Sequence, residues 1–244
     1  MGLKPNRVAN NTKGSLKSPL LDPDNYPARL VQVIDLGQQQ NFFDKEKVNH
    51  EVMLTYELTT EFCLDDKDEP VTDKPRWLSE TINMIDLPIG MSVKDIYNDQ
   101  YRGKSKLVLR SKAFDPKGEH EFDLSKMLGK PCAVTVVEKK KKDGELRNDI
   151  GGITAPMKGL QIDELVNEPK FFGLDEPDLE IFGSLPEWLQ GRIKENLNFK
   201  GSPLEEALNG KAPKADEKKA AQQPEKAAAQ PETDTGEEDD DTPW

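Results

Sequence analysis

Cysteine and histidine are nearly absent: in 244 residues there are two of each, Cys63, Cys132, His50 and His120. Two cysteines build no disulfide framework and fit a reducing compartment. No pair among the four has the close spacing of a zinc site, so no metal is expected. The cluster Asp65, Asp66, Asp68 and Glu69 lacks the glycine and distal glutamate of a calcium loop and reads as a solvated hairpin tip. No apolar run approaches the ~20 residues of a membrane helix. The N-terminus also lacks the apolar region of a signal peptide, and Asn6 stands where a myristoylation signal opening on Met1-Gly2 wants Ser or Thr. A soluble, cytoplasmic chain without membrane contact is therefore expected. Gly-rich phosphate loops and serine nucleophile motifs are missing too. With two histidines available for acid-base work, neither catalysis nor a cofactor is expected.

Acid is what the chain has in excess, with a formal net charge of −12. A polyanion would ordinarily exclude nucleic acid as a partner, but the average hides the distribution. Residues 102–147 carry 13 Lys and Arg against 7 Asp and Glu, so one internal segment is strongly basic within an acidic chain.

Residues 1–25 are polar, with Lys4, Arg7 and Lys13, and read as a flexible basic arm. From Tyr26 the character changes. Ala28 to Leu36 is rich in β-branched residues and is followed by Gly37, which predicts a first strand. His50 to Phe62 alternates: Val52, Leu54, Tyr56, Leu58 and Phe62 point one way, while Glu51, Met53, Thr55, Glu57, Thr59 and Glu61 point the other, as in a half-buried strand. Arg76 to Ile85 gives a third. Val93, Ile96, Tyr97 and Tyr101 have the spacing of one helix. Leu107 to Phe114 continues as a second, although Leu107-Val108-Leu109 could equally be strand. A helical turn over Phe122 to Leu128 stops at Gly129, and strands follow at Pro131 to Glu138 and Arg147 to Ala155. Three strands, a helical segment and two strands is the order of the OB-fold, a five-stranded Greek-key barrel whose strand 2–3 face and flanking loops bind single strands or sugars.

Pro169 to Asp178 reads as loop. In Leu185 to Phe199, the residues Leu185, Trp188, Leu189, Ile193 and Leu197 recur at helical intervals. This amphipathic helix either packs back on the barrel, within a region 161–210, or forms a homodimer contact. Residues 211–244 are Ala, Lys, Glu, Gln and Pro and then acid, a composition that cannot offset chain entropy. The expected architecture is thus mainly β: an arm over 1–25, a barrel over 26–160 with helical insertions, a C-terminal helix, and a disordered acidic tail.

The tail ends Asp239-Asp240-Asp241-Thr242-Pro243-Trp244. A lone indole at the end of a flexible acidic tether suits an anchor for an apolar pocket ringed by cations on another protein, the acids steering the encounter. Asp239, Asp240, Asp241, Pro243 and Trp244 are the candidate partner-binding residues.

That tip resembles the acid-acid-acid-apolar-Pro-Phe tip of bacterial single-stranded DNA-binding proteins, with Thr242 at the apolar position and Trp244 for Phe. The body resembles a group of bacteriophage single-stranded DNA-binding proteins over Tyr26 to Gly37, His50 to Leu58, Asp73 to Glu80 and Phe122 to Cys132. The resemblance implies an OB-fold core and a binding and protective role in phage replication, recombination or repair, without catalysis. It also implies residence in the host cytoplasm and, as partners, single-stranded DNA together with a polymerase, helicase or primase, nuclease or recombinase.

Binding a bare strand needs cations for phosphates and exposed aromatic faces for bases. Candidates in the basic segment are Lys104, Lys106, Arg110, Lys112, Lys139, Lys140, Lys141, Lys142 and Arg147. The strands add Arg29, Tyr56, Arg76 and Trp77. Tyr56 lies on the apolar face of its strand, where core packing competes with stacking, so Trp77 is the better stacking candidate. For the four-lysine turn, solvated decoration competes with backbone contact.

Overall fold

A computed structural model describes residues 16–41 and 44–210. Contacts within the chain separate Met1–Ala212 from Pro213–Trp244, and every described residue belongs to the first unit. The fold is mainly β, a curled antiparallel sheet with short helices. Its strands are β1 (Asn25–Gln40), β2 (Val48–Leu64), β3 (Pro70–Asn83), β4 (Pro131–Lys140), β5 (Leu146–Thr154) and β6 (Lys170–Phe172). The pairing order is β3-β2-β1-β4-β5, and β6 lies beside β1 as a parallel sixth strand. Residues 169–178 were expected to be loop, so β6 is an addition; three residues are too few to display alternation.

The curl begins in β1, which pairs with β4 through Asn25–Arg29 and with β2 from Ala28 to Gln40. Register breaks between Leu30 and Gln32 and between Asp35 and Gly37 mark β-bulges. A bulge adds one residue on one side, bends the strand and reverses which parity faces inward. Ala28 and Leu30 therefore face the inner core, as does Val33 beyond the first break, while Ile34 and Leu36 serve a second core on the opposite face. At the second break Gly37 adopts φ +72°, its amide donating to Asp35 Oδ1 at 2.8 Å. Here a side chain would meet Asn196 at 2.4 Å, so glycine is required by conformation and by space.

The inner core takes Val52, Leu54, Tyr56 and Leu58 from β2, Ile82 from β3, and Cys132, Val134 and Val136 from β4. One end is filled by α1 (Val93–Asn98), α2 (Lys106–Phe114) and a 3₁₀ turn (Leu124–Met127), which bury Ile96, Leu107, Val108 and Met127. Local chemistry starts both helices. Ser92 and Asp95 form a capping box on α1, and the Ser105 hydroxyl accepts from Val108 N on α2. Tyr101 was expected on the buried helical stripe but lies past the end of α1, 81% exposed.

Residues 16–24 are not the free arm expected over 1–25. Lys17 bridges to Leu64, the Arg76 guanidinium donates to Pro19 O at 2.6 Å, and Asn148 holds both the N–H and the C=O of Leu21 at 2.8 Å. Leu21 is buried in the inner core, so this strap ties the β2–β3 side to β5. Residues 1–15 lie outside the described residues.

The second core lies on the back of β1 and β2. Ile34, Leu36 and Met53 meet Phe172 of β6, Phe182 of α3 (Leu179–Ser184), Leu185 at the end of α3, Leu189 and Ile193 of α4 (Glu187–Lys194), and Leu204 of α5 (Pro203–Leu208). The predicted amphipathic helix thus packs on the sheet along Leu185, Leu189 and Ile193. β2, expected to be half-buried, is buried on both faces from Val52 to Leu58. No helix among the described residues is long and apolar enough to cross a membrane.

Candidate nucleic-acid interface

The thirteen candidate strand-binding residues fall into five groups. Two are interior. Tyr56 is 0% and Arg110 4% exposed, and both converge on the buried carboxylate of Glu80. Arg110 donates from Nε to Oε1 at 2.6 Å and from Nη2 to Oε2 at 2.9 Å, a bidentate fork, and the Tyr56 hydroxyl donates to Oε1 at 3.2 Å. Burial, with the neighbouring Glu80 charge, pushes the Tyr56 phenol well above its ordinary value, so it keeps the proton it donates. Neither residue offers a face to a strand, and both leave the candidate set. The sequence put a cation on α2 without showing that Glu80 would be waiting inside the curl.

Arg29 and Arg76 are also committed to the chain itself. Arg29 donates to the carbonyls of Gly129, Ile162 and Asp163 and to the Glu164 carboxylate, at 2.7–3.0 Å. It pins residues 162–164 across the sheet. Arg76, 7% exposed, anchors the strap through Pro19. A guanidinium turned onto the chain's own oxygens, through four bonds in Arg29 and one in the buried Arg76, acts as a fastener.

Trp77 stands on the outer face of β3, in the alternation Trp77, Ser79, Thr81, and is 38% exposed. Its Nε1 donates to Glu57 Oε2 at 3.0 Å. Glu57, 0% exposed, also accepts from Val166 N at 2.6 Å and Asn167 Nδ2 at 2.7 Å. Three donors satisfy this buried carboxylate, and together they set the angle of the indole. Its ring remains available beside Ser79, whose hydroxyl meets that of Thr55 at 2.9 Å.

The remaining cations form two groups. On the β4–β5 hairpin, Lys139 pairs with Asp149 and Lys141 with Glu145, whereas Lys140, Lys142 and Arg147 have no ion-pair partner among the described residues. All five are exposed. At the other site Lys104 and Lys106 are exposed around the start of α2, Lys106 at 3.6 Å from Glu80. Lys112 donates to Tyr97 O at 2.5 Å, with its ammonium 5.2 Å from that ring's centre. Tyr101, next to Arg102 and Lys104, is an exposed aromatic that the helical spacing had concealed.

Sequence reasoning also missed an open groove of about 550 Å³ between the outer β2–β3 face and α4. Leu36, Met53, Ser79 and Thr81 line the sheet side, and Trp188, Gly191, Arg192 and Glu195 the helix side. Trp188 was placed on the buried stripe, yet it is 65% exposed. The stripe Leu185, Leu189, Ile193 is complete without it, and that redundancy was the available signal.

His50 Nε2 lies 2.7 Å from Asp35 Oδ1, and this hydrogen bond raises the imidazole above its ordinary value against the opposing effect of burial. Among the described residues no three His, Cys, Asp or Glu side chains are grouped to hold a metal, and burial keeps the Cys132 thiol protonated. Asp239, Asp240, Asp241, Pro243 and Trp244 lie outside the described residues. Comparison with protein-family models, curated proteins and solved structures finds no match to this chain.

Proposed function

We propose that this chain is a single-stranded DNA-binding protein of the bacteriophage type. It coats strands with little sequence preference and recruits replication or recombination proteins through residues 239–244. The observation that carries the reading is the outer β2–β3 face: an exposed, hydrogen-bonded indole, Trp77, beside an open groove, on the face that OB-folds use for oligonucleotides. The pairing order β3-β2-β1-β4-β5, with helices between β3 and β4, supports the OB-fold assignment. The hairpin carrying Lys140, Lys142 and Arg147 corresponds to one of that fold's binding loops and supplies uncommitted cations for phosphates. Binding and protection, not catalysis, are the activity, and the host cytoplasm is where it acts.

The acidic terminus gives the second half of the proposal. Residues 232–244 carry seven carboxylate side chains and no Lys or Arg. They compete with a strand for the cationic surface until DNA displaces them, so occupancy and recruitment are coupled through one surface. Retention of labelled single-stranded DNA, duplex and RNA on filters across a salt series tests the reading. Strong, salt-sensitive preference for single-stranded DNA supports it, and equal retention of duplex, or none of any polymer, refutes it.

A further inference from the structure

From the groove between α4 and the β2–β3 face we infer a slot for a single nucleobase, with the indole of Trp188 as its stacking platform. This inference rests on the proposed strand-binding function and adds to the sheet a second structural element, the appended helix. Trp188 is the anomaly that prompts it. Its neighbours Leu185 and Leu189 are buried at 4% and 1%, so the helix is already anchored, and the largest apolar side chain on α4 is left 65% in water. It lines a cavity instead of the core.

The chemistry of the cavity selects the class of ligand. Its one cation, Arg192, is occupied: Nη2 lies 3.0 Å from Glu51 Oε2 and Nη1 3.4 Å from Glu195 Oε2. Glu80, which also lines the cavity, is held from inside by Arg110, so Arg192 set against Glu195 and the adjacent Glu51 leaves the slot slightly anionic, which repels a phosphate and tolerates an uncharged ring. The opposite wall offers the hydroxyls of Ser79 and Thr81 and the apolar surface of Met53 and Leu36. An aromatic platform, a few hydroxyl groups and no free charge suit a planar, neutral, hydrogen-bonding heterocycle. Trp77 stands four residues before Thr81 on the same face of β3, about 13 Å along the strand. One strand can therefore place different bases on Trp77 and on Trp188 while its phosphates stay outside in solvent.

The test uses the full chain. In a Trp77→Phe, Trp244→Phe background, Trp188 is the sole indole, because the chain has three tryptophans. Oligodeoxythymidylate should quench its emission, and an abasic strand of equal length, with the same phosphates, should not. In the otherwise unaltered chain, Trp188→Ala should weaken oligodeoxythymidylate binding by about five- to 150-fold, the equivalent of one stacked base. Trp188→Phe should retain most of the affinity, and neither change should shift the thermal midpoint by more than a few degrees. Unchanged Trp188 emission at saturation, in a chain that still retains the strand on filters, overturns the slot and leaves the strand-binding reading standing. Equal quenching by the abasic strand also overturns it. Failure to retain any strand at all refutes both.

Discussion

Arg110→Gln separates a structural cation from a binding one. Arg110 and Glu80 have side chains only 5% and 4% exposed, joined by two short hydrogen bonds. The substitution leaves the Glu80 carboxylate with the Tyr56 hydroxyl and the solvent-screened Lys106, the latter 3.6 Å away and 57% exposed. Breaking one side of a buried pair costs about 3–5 kcal/mol, because the remaining charge is desolvated and uncompensated. For a folded unit of this size each kcal/mol moves the midpoint by about 2–4 °C, so the variant should melt roughly 6–20 °C lower. Replacing the whole cluster, with Glu80→Leu, Arg110→Met and Tyr56→Phe together, should recover most of the loss, since no member of the cluster is then left as an unpaired charge. Calorimetry and single-strand binding well below the midpoint read both properties. A variant that melts like the parent but loses DNA affinity would refute the interior placement and return Arg110 to the surface.

Other perturbations address the remaining parts. Replacing Lys139, Lys140, Lys141 and Lys142 by Gln should weaken single-strand binding and reduce the slope of log affinity against log salt by up to about 3, measured by anisotropy titration. Trp77→Ala should cost about 1–3 kcal/mol of strand affinity. Glu57→Ala should instead act on stability, since Val166 N and Asn167 Nδ2 lose their acceptor; faster amide exchange over residues 162–167 is the readout. His50 has a raised pKa in the fold, so its bond to Asp35 stabilises fully below the unfolded value of about 6.5 and less as pH rises through the folded value. The midpoint difference between the parent and His50→Gln should therefore shrink from about pH 5 to about pH 9. Deleting residues 232–244 should tighten strand binding, most at low salt; unchanged affinity would remove the competition.

What the sequence made legible was set by the range of the forces involved. Periodicity and turn chemistry are local, and they located β1 to β5 of the six-stranded sheet, the α2 helix with its Leu107-Val108-Leu109 ambiguity, and the Gly129 stop. The bulges in β1 were not legible, because they are a response to closure: the inward parity changes between Leu30 and Val33 only because the strand serves two cores. Residues 16–24 carry no pattern of their own and are ordered by contacts from Leu64, Arg76 and Asn148, all distant in sequence. The same limit governed the site. Composition identified cations but not their partners, so Arg29, Arg76 and Arg110 were grouped with Lys140 and Lys142, although the first three are occupied by the chain's own oxygens. Helical spacing likewise grouped Trp188 and Tyr101 with core residues, although Trp188 lies beside its stripe and Tyr101 past the end of α1.

The most direct test of the claim that the outer β2–β3 face grips a bare strand is photocrosslinking of the full chain to a single strand containing a photoreactive thymine analogue, with the crosslinked residues mapped by mass spectrometry. Crosslinks at Trp77 and on the 139–147 hairpin are the predicted result. Crosslinks confined to α3, α5 or the edge of β6, with the β2–β3 face unlabelled, would contradict it.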